Sequence, residues 1–336
     1  PWNAPIILTL QKITPILLAG NTIVVKPSPT ASIGVVILLT KMARLFPPGV
    51  INVVPGGSDV GTALTSHPLV RKISFTGGGN TAVSIMKSAA ETLKGVHFEL
   101  GGNDPAIVLD DADLNEVVPK IIEGAFRRTG QFCFAIKRVY IPNDMYDAFY
   151  EKACELTDAY KIGHQLNEEA TMGPINNQLQ YQRISELIER LEHSGANLVK
   201  LGKRLEPENW DNGYYLQPVI VRDVNPDAEI VTCEQFGPVL PLIPYHTEEE
   251  VIHLANNSEF GLGSSIWSSD FERALRVANQ IEAGMTFING HGQTSLGSKY
   301  IPFGGIKQSG IGREKSIEVF DEFIEYHGIN FHREKS

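Results

Sequence analysis

The chain has 336 residues, 42% apolar and 20% charged, the composition of a folded globular protein rather than a disordered or fibrous one. Its net charge of -10, with Lys and Arg scattered along the chain, excludes a nucleic acid or an anionic membrane as the expected partner. Single cores stop growing near about 250 to 300 residues, so two domains are expected.

Three cysteines, Cys133, Cys154 and Cys233, are widely spaced and include no CxxC pair, so neither a disulfide framework nor a metal site is expected. A reducing, cytoplasmic setting follows. The most apolar stretch, 6–18, is interrupted by Gln11, Lys12, Thr14 and Pro15 and is too short to cross a bilayer.

Along the first hundred residues, short β-branched runs at 22–26, 50–54, 72–75 and 96–99 alternate with helical patterns at 30–45, 58–66 and 80–93. That alternation predicts a parallel α/β sheet with helices on both faces. Such sheets bind ligands at the carboxyl ends of their strands. Three polar or glycine-rich segments fall there: Lys26-Pro27-Ser28-Pro29, Pro55-Gly56-Gly57 and Thr76-Gly77-Gly78-Gly79.

A second α/β unit is predicted from Gly101-Gly102 onward. Its strands are expected near 104–109, 137–141, 214–221, 239–244, 262–267 and 285–288, and its helices near 143–160, 177–194, 247–256 and 270–282. The first unit is therefore expected over 1–100, the second over 101–312 and a C-terminal return over 313–336. The alternating stretch 320–331 reads as an edge strand that would be left unpaired within one subunit, which predicts a homodimer or homotetramer. A strand within the same subunit is the other reading.

Five separated segments together resemble the aldehyde dehydrogenase superfamily. They are Pro1-Trp2-Asn3, Phe98-Glu99-Leu100-Gly101-Gly102, Gly130-Gln131-Phe132-Cys133, Glu234-Gln235-Phe236-Gly237-Pro238, and Pro302-Phe303-Gly304-Gly305 followed by Ser309-Gly310-Ile311-Gly312-Arg313. Each is weak alone, and the specificity lies in their order and spacing. The resemblance implies a Rossmann-like coenzyme domain beside an α/β catalytic domain, NAD or NADP as cofactor and an aldehyde as substrate. Members usually carry a segment before Pro-Trp-Asn, so an amino-terminal part is expected to precede this chain.

By resemblance Cys133 is the nucleophile, although a cysteine between two phenylalanines would, on its own, be read as a buried apolar residue. Cys154 reads as core, and Cys233 has no evident role. Asn3 would carry over as an oxyanion donor; in isolation it reads as a cap ahead of Ala4-Pro5. Glu99 would be the base that activates water on the thioester, against an ordinary strand-end glutamate. Its presence implies hydrolysis rather than acyl transfer to coenzyme A.

For the cofactor the resemblance implicates Trp2, Lys26, Ser28, Pro29, Gly57, Gly61, Phe75, Gly77, Gly78, Leu100, Gln180, Glu234 and Phe236. These glycines do not form the GxGxxG fingerprint, and such glycines are often simple turns. The substrate pocket would involve Ala4, Gln11, Phe132, Phe134, Gly297 and Phe303.

Departures from the family pattern are Pro29 for a common glutamate, which leaves NADP open, Gly78 for a serine, Arg128 for an asparagine, Phe134 for a small residue and Ala4 for an aromatic one. The phenylalanines around Cys133 lead to the expectation of an apolar aldehyde, aromatic or medium-chain. Two other readings compete. One is a Cys-dependent hydrolase or acyl transferase, disfavoured because none of the nine histidines stands in a Cys/His motif; the other is a non-catalytic or inactive truncated relative.

Overall fold

The computed structural model describes residues 1–292 and 300–332. It has two sheet systems joined by the short link 100–103. In the first, β1 (Ile23–Val25) pairs in parallel with β2 (Ile51–Val53), and β3 (Lys72–Thr76) pairs in parallel with β4 (Gly95–Glu99). The expected single coenzyme sheet is therefore two separate parallel pieces in this chain.

Around them lie α1 (Pro5–Leu18), α2 (Ser32–Ala43), α3 (Ser58–Ser66) and α4 (Gly79–Ala90). Val35 and Leu39, four residues apart on one face of α2, pack with Ile13, Ile23 and Ile51 into a small core. The helix α1 was not foreseen, since Pro15 and three polar residues break its apolar run. Pro5 at its first turn supplies the helical φ without losing a hydrogen bond, and Pro15 is tolerated inside it.

The second system is a seven-stranded sheet in the order Met285–Ile288, Gly263–Trp267, β5 (Asp104–Val108), β6 (Ile136–Pro142), Val239–Tyr245, Val219–Arg222 and Asn197–Lys200. All neighbours are parallel except the last pair. Every residue of β5 and β6 is buried, as central parallel strands covered on both faces must be. One face packs against α5 (Leu114–Phe126) and α6 (Tyr146–Asp158), and the other against α7 (Gln178–His193) and the helices Glu248–Asn256 and Phe271–Ala278.

The two systems are also tied near the C-terminus, where Gly310 and Ile311 pair antiparallel with Glu99 and Phe98. The expected edge strand over 320–331 is not formed within this chain. Residues Ile317–Glu322 make a 3-10 helix, and the following residues to 332 carry no strand pairing. Their alternation leaves Tyr326, Ile329 and Phe331 exposed.

Candidate active site

Cys133 lies in the loop between α5 and β6, and the chain reaches it through three consecutive residues of left-handed backbone, Arg128, Thr129 and Gly130, at φ 54°, 60° and 69°. Only Gly130 adopts this without penalty. A Cβ there would also collide with the carbonyl of Gly237. Side chains over-determine the turn. Thr129 Oγ1 donates to Gly173 O at 3.0 Å, Gln131 Nε2 donates to Arg128 O at 3.2 Å, and Gln131 Oε1 accepts from Asn176 N at 2.9 Å. Beneath the loop, Lys137 Nζ donates to the carbonyls of Phe132 at 3.1 Å and Cys133 at 2.9 Å.

Asn3 reaches this loop from the other sheet system. Its Nδ2 donates to Gln131 O at 3.2 Å, two residues before Cys133. The N-terminus of α1 has no side-chain cap, so Asn3 does not serve as one. An amide nitrogen carries two N–H donors, and only one is used in this bond. Arg128, standing where an asparagine was expected, directs its guanidinium to Asn3 O at 3.5 Å from an exposed position.

Glu99 closes β4 at the link between the systems and is 3% exposed, yet neither carboxyl oxygen has a hydrogen-bond partner among the described residues. Burial, reinforced by the Glu314 carboxylate, pushes its pKa up to about 9. Lys12, Arg313 and Lys315 pull in the opposite direction. Glu314 is ion-paired with Lys12, whose Nζ also donates to Ser74 Oγ at 3.2 Å, and Ser74 Oγ meets His97 Nδ1 at 3.1 Å. His97 is fully buried and held near pKa 3 by that burial, hence neutral.

A polar chain therefore runs from beside Glu99 through Glu314 and Lys12 to Ser74 and His97. Sequence reasoning missed Lys12 and Glu314 as site residues. The available signal was a lone lysine inside the apolar stretch 6–18, but its partner is 302 residues away.

The thiol of Cys133 is partly exposed, and its pKa is pushed up to about 12 by desolvation, with Lys137 opposing and Glu99 among the carboxylates reinforcing. The resting site thus holds a protonated thiol beside a protonated carboxyl group.

Next to it, Glu234 Oε1 accepts the Gly102 N–H at 3.1 Å and lies 3.7 Å from Lys137 Nζ. A Cβ on Gly101 would run into this carboxylate, which is the reason for glycine there. Phe236, at φ 51°, sets its ring 5.5 Å from that of Trp2, edge to face. Gln180, expected to face a ribose, instead donates from Nε2 to the carbonyls of Gln235 at 3.2 Å and Phe236 at 2.9 Å. Together with Arg183 it holds this loop in place.

The remaining expected cofactor residues line the carboxyl ends of β1, β2 and β3. Lys26 crosses the first turn of α3, where a Cβ on Gly61 would sit 3.5 Å from its Cε, and its Nζ donates to Pro27 O at 3.2 Å. Ser28 Oγ meets Thr30 Oγ1 at 3.2 Å, and Pro29 is exposed at the start of a 3-10 turn. Gly57 and Gly78 precede α3 and α4 with no side-chain cap, which leaves first-turn N–H groups for an anionic ligand.

A Cβ on Gly77 would strike the Phe75 ring, so the backbone can be approached closely there; Leu100 is buried and its N–H is bonded to Ser309 O at 3.0 Å. These features fit a dinucleotide: two uncapped helix N-termini for the diphosphate, Lys26 and Glu234 for hydroxyls, and a Cβ-free wall.

On the substrate side, the Phe132 and Phe134 rings stand 5.3 Å apart and those of Phe134 and Phe303 5.5 Å apart, all edge to face. Ala4 and Gln11 lie partly buried along α1. Gly297 lies outside the described residues. Of the remaining cysteines, Cys154 packs against the core, as expected, and Cys233 is exposed.

A thiol, a buried carboxyl and an amide donor are gathered where two α/β sheet systems meet, beside a cradle that fits a dinucleotide. The aldehyde dehydrogenase family model matches residues 1–329, and the chain belongs to the aldehyde dehydrogenase family. It is 39% identical over 94% of its length to a putative aldehyde dehydrogenase of Gibberella fujikuroi, and 40% identical over 96% of its length to a betaine aldehyde dehydrogenase of Brucella anthropi.

The chain spans 66% of the length of each of these relatives. A Mycobacterium tuberculosis aldehyde dehydrogenase complexed with NAD+ superposes with a TM-score of 0.91 at 37% identity, covering 96% of this chain and 66% of that one. A variant of aldehyde dehydrogenase C from Pseudomonas syringae with NAD+ and octanal gives 0.91 at 34%, covering 97% and 66%. Among the described residues no helix is long and apolar enough to cross a membrane.

Proposed function

We propose that the protein of which this chain is part oxidises an aldehyde to a carboxylic acid with NAD or NADP. In this reading Cys133 forms a thiohemiacetal and then a thioester, which Glu99-activated water hydrolyses. The observation that carries the reading is the meeting of Asn3, Glu99 and Cys133 around one loop, although 130 residues of sequence separate the first from the last.

Cys133 Sγ bonds to the carbonyl carbon as its proton leaves toward the Glu99 carboxylate. The carbonyl oxygen takes the charge, facing the Asn3 amide and the Cys133 N–H. Bound NAD(P)+, held by Lys26, Glu234, Phe236 and the turns before α3 and α4, would supply the hydride acceptor and a positive charge that favours the ionised forms of both Cys133 and Glu99. Glu99 then takes a proton from water, the water oxygen adds to the thioester carbon, and the C–S bond breaks to regenerate the thiol. Glu99 must give the thiol's proton up to water before it can take one from the attacking water, and the charges of Glu314 and Lys12 beside it set how readily it does so.

The aromatic surface of Phe132, Phe134 and Phe303 supports an aldehyde with an apolar stem, as in the relative crystallised with octanal. Three unpaired thiols accord with a reducing, cytoplasmic setting. The exposed apolar residues Tyr326, Ile329 and Phe331 accord with a homodimer or homotetramer.

The test is pre-steady-state cofactor reduction by the full-length protein. Glu99→Gln should reduce about one cofactor per protein, more slowly because the acceptor of the Cys133 proton is lost, and then stop, while Cys133→Ala gives none. Steady turnover by Cys133→Ala sinks the proposal.

A further inference from the structure

The row of rings beside Cys133 ends in a cation at each side. The Arg127 guanidinium lies 5.1 Å from the centre of the Phe132 ring, and Lys315 Nζ lies 4.5 Å from the centre of the Phe303 ring. Cys133 sits in the chain between Phe132 and Phe134, so the row of rings, with a charge at each end, lies beside the thiol.

Neither cation has an anionic partner among the described residues. Of the carboxylates whose charge reaches Lys315, Glu314 is engaged elsewhere and Glu99 makes no hydrogen bond among the described residues. Glu314 is paired with Lys12, and Glu322 is paired with Lys72 while accepting from the Arg313 N–H. Lys137 offers a contrast: it is fully buried but spends its donors on the Phe132 and Cys133 carbonyls. A lysine that served only to brace the loop would be bonded in that way.

Lys315 is only half-buried, and burial holds its pKa below the usual lysine range. Ionised Glu314, Glu99 or Cys133 would oppose that shift, and the ammonium stands over the Phe303 ring. Its position is enforced by the backbone. Phe303 and Glu314 exchange both N–H···O bonds, and the chain then turns through two left-handed residues, Lys315 at φ 58° and Ser316 at φ 48°. Glycine would adopt these angles more cheaply than lysine.

Resting on the aldehyde-oxidising reading above, we infer that Lys315, with Arg127 across the ring row, is a subsite for an anionic group, and that the preferred aldehyde carries a carboxylate at the far end of an apolar stem. The rings take up the stem, and the ammonium gains a charge-assisted hydrogen bond that none of the described residues supplies. An aldehyde ending in a quaternary ammonium would meet two like charges and be rejected. This sharpens the expectation of a purely apolar substrate: the phenylalanines describe only the middle of the molecule.

The experiment compares pimelic semialdehyde with heptanal, which have the same stem, on the full-length protein and its Lys315→Met and Lys315→Arg variants. The wild-type protein should favour the oxo acid in kcat/KM. Lys315→Met should lower that preference about ten- to hundredfold, the range expected for one charged hydrogen bond, while Lys315→Arg keeps most of it. Equal use of both aldehydes by the wild type, or an equal fall for both in Lys315→Met, overturns the subsite.

Calorimetric binding of pimelate against heptanoate reads the subsite without turnover. If no aldehyde is oxidised, the oxidation reading fails by itself. Pimelate binding that Lys315→Met weakens then still supports the subsite, and absence of pimelate binding overturns it.

Discussion

Gly130→Ala separates two costs that usually arrive together. Gly130 and Gly20 both have left-handed backbone, at φ 69° and 84°, so an alanine at either position bears a conformational penalty of about 1–2 kcal/mol. At Gly20 nothing lies within 4 Å of the added Cβ. At Gly130 the methyl group would collide with the Gly237 carbonyl and lie 3.3 Å from that of Ala125. Both obstacles are backbone and neither can rotate aside, so the turn itself must shift.

That turn sets Cys133, and a misplacement of about 1 Å of a reacting group costs on the order of a hundredfold in rate. Gly20→Ala should lower Tm by a few degrees, as about 1 kcal/mol does in a domain of this size, and leave turnover within about twofold. Gly130→Ala should lower Tm further and reduce kcat by on the order of a hundredfold, read by thermal unfolding and by cofactor reduction on the full-length protein. Equal Tm losses in the two variants, with full turnover in Gly130→Ala, would refute the argument that the Gly237 carbonyl leaves room only for glycine.

Two further outcomes follow from the site. If Glu99 must be a carboxylate to activate water, a pKa near 9 in the cofactor-free protein means that kcat/KM climbs with pH and levels off only above that value. Glu314→Gln removes a like charge and frees Lys12 to favour the ionised form, so the climb should move to lower pH. A limb that stays in place or moves upward in the pH–rate profile contradicts the coupling. Asn3→Ala should lose about 2.7–4 kcal/mol of transition-state stabilisation, seen as a fall in kcat of about a hundred- to a thousandfold with KM little changed. A rise in KM with kcat retained would assign Asn3 to ground-state binding.

What the sequence disclosed, and what it hid, follows the range of the interactions involved. The central strands were legible because β5 and β6 are continuous buried runs whose boundaries need no knowledge of their neighbours. The nucleophile loop was legible as Gly-Gln-Phe-Cys only in company with distant motifs, because a cysteine between phenylalanines has the local signature of core.

The stretch 320–331 is legible only in part: its first three residues belong to the 3-10 helix Ile317–Glu322, where Val319 alone is buried, and the rest has no strand pairing within this chain. Period alone does not distinguish an edge strand from a terminal segment lying on a surface. The Lys12 and Glu314 pair and the Lys315 contact with Phe303 were out of reach for another reason. The first depends on how the chain after 300 folds back over the first sheet system, and the second on the antiparallel bridge between Phe303 and Glu314, neither of which local periodicity records.

The resting protonation of the site bears on the order of events. A thiol near pKa 12 and a carboxyl near 9, sharing one desolvated pocket, oppose each other's ionisation, so the first negative charge makes the second harder to create. The pocket in this state is neutral at both groups and chemically quiet, which protects an accessible thiol from oxidation. Activation then requires positive charge to arrive close to Cys133. Lys137 is already committed to two carbonyls, and Lys315 awaits an anion in the proposed subsite. A cationic cofactor ring is what remains, so reactivity of Cys133 toward an alkylating agent should rise when NAD(P)+ binds and not when its neutral reduced form does.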